Sequence, residues 1–88
     1  MNTNLYSRNP DQIVLYGVTW CPDCLRAKRV FSKNNIEYLD INIDNDPQGA
    51  AFVKEVNGGN RSVPTIIFPD GAILVEPSNK ELREKFSK

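Results

Sequence analysis

Between residues 13 and 43 the hydrophobic period of the chain changes twice, and that succession constrains the fold more than any other feature. Ile13-Val-Leu-Tyr16 is a short apolar run, too short for a helix and closed by Gly17. It reads as a buried strand. From Pro22 to about Asn34, Cys24, Ala27 and Phe31 recur at i, i+3 and i+7 with Val30 beside them, while Arg26, Lys28, Arg29 and Lys33 take the opposite side. That pattern is an amphipathic helix, ended at Asn34-Asn35. Residues 37–43 set Tyr38, Leu39, Ile41 and Ile43 among polar partners and read as a second strand. A strand, a short crossover helix and a strand imply parallel pairing with a right-handed connection.

The remaining elements follow from punctuation. Asp46-Pro47 offers an N-cap with proline at the first helical position, and Ala50, Val53 and Val56 supply an apolar face before Asn57-Gly58-Gly59 ends the helix. Thr65–Phe68 and Ala72–Val75 flank the turn Pro69-Asp70-Gly71 and make a hairpin. Ser78 and Glu81 have the capping-box spacing, and Leu82 with Phe86 gives a last helix an apolar i, i+4 pair. The order is βαβαββα, an α/β fold with a four-stranded mixed sheet flanked by three helices. Residues 1–11 read as a polar N-terminal leader and residues 12–88 as one domain.

A chain of 88 residues buries roughly 60 to 65% of the surface its unfolded form exposes, enough for a modest core. Eleven basic and eleven acidic side chains cancel, so nothing marks a nucleic-acid or anionic-membrane footprint. No apolar stretch approaches the length that spans a bilayer, and the polar start resembles no export signal. The expected protein is a cytoplasmic monomer.

Both cysteines stand in Trp20-Cys21-Pro22-Asp23-Cys24, in a chain without histidine. As a structural staple, a loop of about four residues stabilises by only about 2 kcal/mol, and cytosolic thiols are usually kept reduced. A closed zinc site needs four nitrogen or sulfur ligands, which one chain cannot supply here. A [2Fe–2S] cluster needs four thiolates, so it requires two protomers, each giving Cys21, plus external thiols. An inert pair in a small interaction module is a further alternative.

Reversible thiol–disulfide chemistry accounts better for two thiols at this spacing, after a strand and at the start of a helix. The helix N-terminus presents free N–H groups and a positive dipole end to Cys21, expected to be exposed and thiolate-forming. Cys24, one turn later on the core side, is expected to be covered and to have a higher pKa. Pro22 suits the first helical turn. The carboxylate of Asp23 opposes a thiolate at Cys21, which makes the pair more reducing. Trp20 either packs in the core or flanks the nucleophile and meets a docking partner.

These residues, with Asn60-Arg-Ser-Val-Pro64 and the Asp70-Gly71 hairpin before the last helix, make residues 12–88 resemble a glutaredoxin-like member of the thioredoxin superfamily. The resemblance implies that Cys21 is the nucleophile, that Cys24 resolves, and that Pro64 is a cis-proline facing the disulfide. It also implies that the backbone of Val63 pairs with a substrate peptide as an added strand. Trp20, Pro22, Arg61, Val63, Pro64 and Ser78 are accordingly the candidate substrate contacts. Val18 stands where glutathione-using members carry lysine, and Val75-Glu76-Pro77-Ser78 where they carry Gly-Gly and an Asp pair. The pattern is more similar to mycoredoxins, and more distantly to the small redoxins that reduce ribonucleotide reductase. The expected activity is reduction of protein disulfides, or of mixed disulfides with small thiols, without a dissociable cofactor. Electrons are expected from mycothiol or another small thiol in preference to glutathione, or from a flavoprotein reductase. The [2Fe–2S] carrier is the alternative.

Overall fold

The structure, a computed structural model, describes residues 5–87. Its elements are β1 (Val14–Gly17), α1 (Pro22–Lys33), β2 (Leu39–Asn42), α2 (Pro47–Val56), β3 (Thr65–Ile67), β4 (Ile73–Val75) and α3 (Asn79–Phe86). The sheet order is β2-β1-β3-β4. β1 pairs with β2 in parallel, Val14 opposite Leu39 and Gly17 opposite Asn42, and with β3 antiparallel, Tyr16 opposite Thr65. β3 and β4 close the hairpin, Thr65 opposite Val75. The order and the mixed sheet agree with the sequence reading.

β1 is central and its four residues are all buried, which is why it reads as an unbroken apolar run: both faces are covered, so no position faces water. Its side chains still alternate. Val14 and Tyr16 join Phe52 and Val53 of α2 with Ile67, Val18 and both cysteines, while Leu15 joins Ala27, Val30 and Phe31 of α1 with Ile66, Phe68 and Leu82 of α3. One cluster therefore lies between the sheet and α2, and the other under α1 and α3. The Phe31 ring stacks on Tyr38 at 4.6 Å and tilts against Phe86 at 5.1 Å. Replacing so buried a phenylalanine by alanine costs about 3 to 5 kcal/mol.

Three local features depart from the sequence reading. Cys24 begins the stripe counted with Ala27 and Phe31, yet it belongs to the α2-facing cluster. At the first turn of α1 it lies past the end of β1, where the sheet no longer separates the two sides. Asp46 occupies the N-cap of α2 in extended conformation but makes no side-chain cap. Its Oδ2 instead accepts the Tyr6 hydroxyl at 2.6 Å, and the Tyr6 N–H donates to the Tyr16 hydroxyl at 3.1 Å. Leu5 and Tyr6, read as part of a polar leader, thus pack against the α2-facing cluster. None of the helices among the described residues is long and apolar enough to cross a membrane.

Candidate functional site

Cys21 is the N-cap of α1, with extended backbone, and its Sγ accepts the Cys24 N–H at 3.2 Å. Its carbonyl takes the Leu25 N–H at 3.1 Å, opening the helical ladder. A sulfur thus fills the acceptor role that serine or aspartate usually plays at this position. Pro22, exposed, is the first helical residue, where no backbone donor is lost. The placement expected for Cys21 holds, but its exposure does not: the residue keeps only 8% of its accessible surface. The cap geometry itself turns Sγ back toward the first turn, against the cluster that holds Val18 and Cys24. The asymmetry of the pair remains, because Cys24 has none.

Both thiols are free. Burial pushes the Cys24 thiol up to about 12; a backbone hydrogen bond at Val18 opposes this, and the hydrogen bond and charge of the neighbouring Cys21 sulfur add to it, with Lys28 opposing weakly. Desolvation dominates because a thiolate deprived of water has few compensating donors. Room for Cys24 comes from Gly17. A Cβ at residue 17 would stand 2.8 Å from Cys24 Sγ, inside contact distance. Beside this point a cavity of about 80 Å³ is lined by Gly17, Val18, Thr19, Lys28, Asp40 and Asn42, with Lys28 and Asp40 ion-paired at 2.9 Å. Gly17 reads in the sequence only as the end of a strand. Its contact with residue 24 becomes visible once the helix is folded onto β1.

The Trp20 ring is 69% exposed, which removes the core-packing alternative for it. Its Nε1 donates to Asp44 Oδ2 at 2.9 Å, while Asp44 Oδ1 accepts from a terminal nitrogen of Arg61. The two donors, Arg61 first, hold the Asp44 carboxyl below the usual carboxylate range. Asp44 thereby joins two predicted site residues, and sequence reasoning missed it. An aspartate in a polar loop, 24 residues from one partner and 17 from the other, carries no periodic signal.

Val63 is half-buried and packs against the cluster containing both cysteines, Pro64 is fully buried, and the peptide between them is cis. The Pro64 carbonyl accepts the Glu76 N–H at 2.8 Å. Ser78 is engaged elsewhere: its hydroxyl accepts the Glu81 N–H at 3.1 Å while Glu81 Oε1 accepts the Ser78 N–H at 2.8 Å, a complete capping box for α3. Asp23 pairs with Arg26 at 3.4 Å, and Arg26 also donates to the Pro77 carbonyl at 3.2 Å, tying α1 to the start of α3. Among the described residues, no group of three or more potential metal ligands comes together.

This arrangement has the parts that a two-step disulfide exchange uses, a capped sulfur at a helix start and a second, covered sulfur one turn on. Comparison with known proteins gives the family. The family model for glutaredoxin matches residues 13–73. The chain is 42% identical over 76 residues to the "Putative glutaredoxin" of Mycobacterium tuberculosis strain H37Rv, covering 86% of this chain and 90% of that one. It is 34% identical over 73 residues to Mycoredoxin 1 of Corynebacterium glutamicum, covering 83% and 90% respectively. Among solved structures, the glutaredoxin-like NrdH-redoxin of Escherichia coli superposes with a TM-score of 0.72 at 21% identity, covering 88% of this chain and 97% of that one, and shows the shared thioredoxin-like fold. The chain belongs to the glutaredoxin family of thiol–disulfide oxidoreductases, in its mycoredoxin-like branch.

Proposed function

We propose that Cys21 and Cys24 are the dithiol that carries this activity, and that the protein reduces protein disulfides or mixed disulfides with small thiols in the cytosol. The Cys21 thiolate attacks one sulfur of the substrate disulfide, a bond forms between Cys21 and that sulfur, and the other substrate sulfur leaves as a thiolate. Cys24 then gives up its proton and attacks Cys21 Sγ, releasing the second substrate thiolate and closing the Cys21–Cys24 disulfide. Two electrons pass to the substrate. The observation that carries this reading is the hydrogen bond from the Cys24 N–H to Cys21 Sγ at the head of α1, with the Cys24 thiol wholly buried behind it. The donor supports charge on the attacking sulfur, and burial keeps the second thiol protonated until the first bond has formed.

Electrons return from an external small thiol or a flavoprotein reductase, and no dissociable cofactor takes part. The departures from glutathione-using members favour mycothiol or another small thiol over glutathione as reductant. The position three residues before Cys21 is Val18, buried at 1% exposure, and it offers no charge to a carboxylate. Val63 and the cis-peptide to Pro64 are the proposed platform for a substrate peptide, and Trp20 the exposed flank.

Single-turnover reaction of the pre-reduced protein with a small-thiol mixed disulfide tests the assignment. Cys21→Ser is expected to abolish all reaction, and Cys24→Ser to stop at a trapped mixed disulfide on Cys21, visible by intact mass. Labelling that falls on Cys24 in the wild-type protein overturns the order of the two sulfurs.

A further inference from the structure

Asp44 is fixed where the chain enters the candidate site. The Ile43 N–H donates to the Gly17 carbonyl at 2.9 Å, carrying the parallel pairing one residue past β2, and the Asp44 N–H is held by Asn42 Oδ1 at 2.9 Å. From there its two carboxylate oxygens divide between the Trp20 indole N–H and the Arg61 guanidinium. Trp20 is the chain neighbour of Cys21, and Arg61 precedes Val63 and Pro64 by two and three residues. A negative charge therefore stands at the rim of the site, matched against the exposed cation that a substrate carboxylate would seek. The nearby Asp23 is paired in the same way with Arg26, so the rim has no surplus positive charge.

We propose that Asp44 is a specificity-determining residue that selects against substrates with a carboxylate near the reacting sulfur. The inference rests on the proposed dithiol chemistry of Cys21. A carboxylate approaching Arg61 must displace Asp44 or share the guanidinium with it, and it meets the repulsion of Asp44 either way. An uncharged thiol loses nothing, and a thiol bearing an ammonium group gains an attractive partner. The substrate class this rim favours is therefore disulfides of neutral or cationic thiols.

The test uses the pre-reduced full chain in single turnover with three small symmetric disulfides: bis(2-hydroxyethyl) disulfide, the dianion 3,3′-dithiodipropionate and the dication cystamine. Asp44→Asn removes the charge and keeps an oxygen for the Trp20 indole. It is expected to raise the rate with the dianion relative to the neutral disulfide about two- to fivefold, the scale of an exposed ion pair, and to lower the dication relative to the neutral by a similar factor. High salt is expected to narrow the wild-type spread. Arg61→Gln, which leaves the Asp44 charge with the Trp20 indole but without its cation, is expected to lower the dianion-to-neutral ratio further. Ratios that stay unchanged in Asp44→Asn, or that move in the same direction for both ions, overturn the inference while leaving the dithiol chemistry intact. A wild-type protein that reacts with none of the three disulfides overturns the chemistry and the inference together.

Discussion

Gly17 and Cys24 touch across the end of β1: the hydrogen of the glycine takes the place of a methyl group that would stand 2.8 Å from the cysteine sulfur and 3.2 Å from Leu15 Cδ2. The sulfur is anchored in the first turn of a helix and cannot swing clear as a long flexible side chain would. Gly17→Ala is expected to cost about 1 to 3 kcal/mol, the usual penalty for overfilling a packed interior. Denaturant unfolding of the reduced protein measures it. Much of the loss should vanish when Cys24→Ala is added, and a strictly additive double-mutant cycle would show that the contact does not matter.

Burial of the Cys24 thiol has a consequence for stability against pH. Its folded pKa, about 12, lies above the ordinary value of 9.0. The folded state therefore holds this proton more tightly, and the associated stability is complete below about pH 9 and lost as pH rises toward 12. The disulfide form has no such proton. Unfolding of the reduced and oxidised proteins in parallel should show the reduced form losing stability more steeply above pH 9, with the tyrosines common to both cancelling in the difference. Parallel curves would contradict the assignment.

Asp23 lies two residues after Cys21 in the first turn of α1, half-exposed and paired with Arg26 at 3.4 Å. Its charge opposes the reduced thiolate form, so Asp23→Asn is expected to make the reduction potential less negative. With the arginine offsetting part of that charge and water screening the rest, the shift is about 5 to 20 mV. Equilibration against a redox buffer of known potential reads it directly, and a shift to a more negative value would reject the role.

The Tyr6–Asp46 hydrogen bond at 2.6 Å fastens the segment before β1 to the head of α2. Tyr6→Phe is expected to cost about 1 to 2 kcal/mol, a hydrogen bond to a charged acceptor at a partly buried position. The Asp46 hydrogen bond raises the tyrosine pKa to about 12, so this contribution is present below about pH 10 and disappears as pH climbs toward 12. Thermal unfolding at pH 7 and at pH 11 should therefore separate wild type and Tyr6→Phe by less at the higher pH.

Ser78 separates a structural from a binding role. Its capping box with Glu81 predicts that Ser78→Ala destabilises the protein by about 0.5 to 2 kcal/mol. If the cap is its whole contribution, kcat/KM toward a small disulfide stays within twofold under conditions where the variant is folded. A larger fall would restore it as a substrate contact.

The residues the sequence reveals and those it hides differ in how their interactions are encoded. β1, α1 and α2 are legible because apolar spacing records which side of each element is covered, and the cysteine pair because its chemistry depends on a local spacing. The capping box of α3 is legible for the same reason, since Ser78 and Glu81 meet within one turn. Asp44, Gly17 and Tyr6 are silent because each acts through a partner brought near only by the completed sheet: Trp20 and Arg61, Cys24, and Asp46 respectively. Asp46 shows the converse. Its local signal fits an N-cap, yet a tertiary hydroxyl outcompetes the backbone amides it was expected to serve.

The division of the interior assigns both sulfurs to the α2 side of the sheet and none to the Phe31 side. The two clusters meet at α1, which gives Cys24 to one and Phe31 to the other, so a link closed at the head of this helix bears on a segment that both sides share.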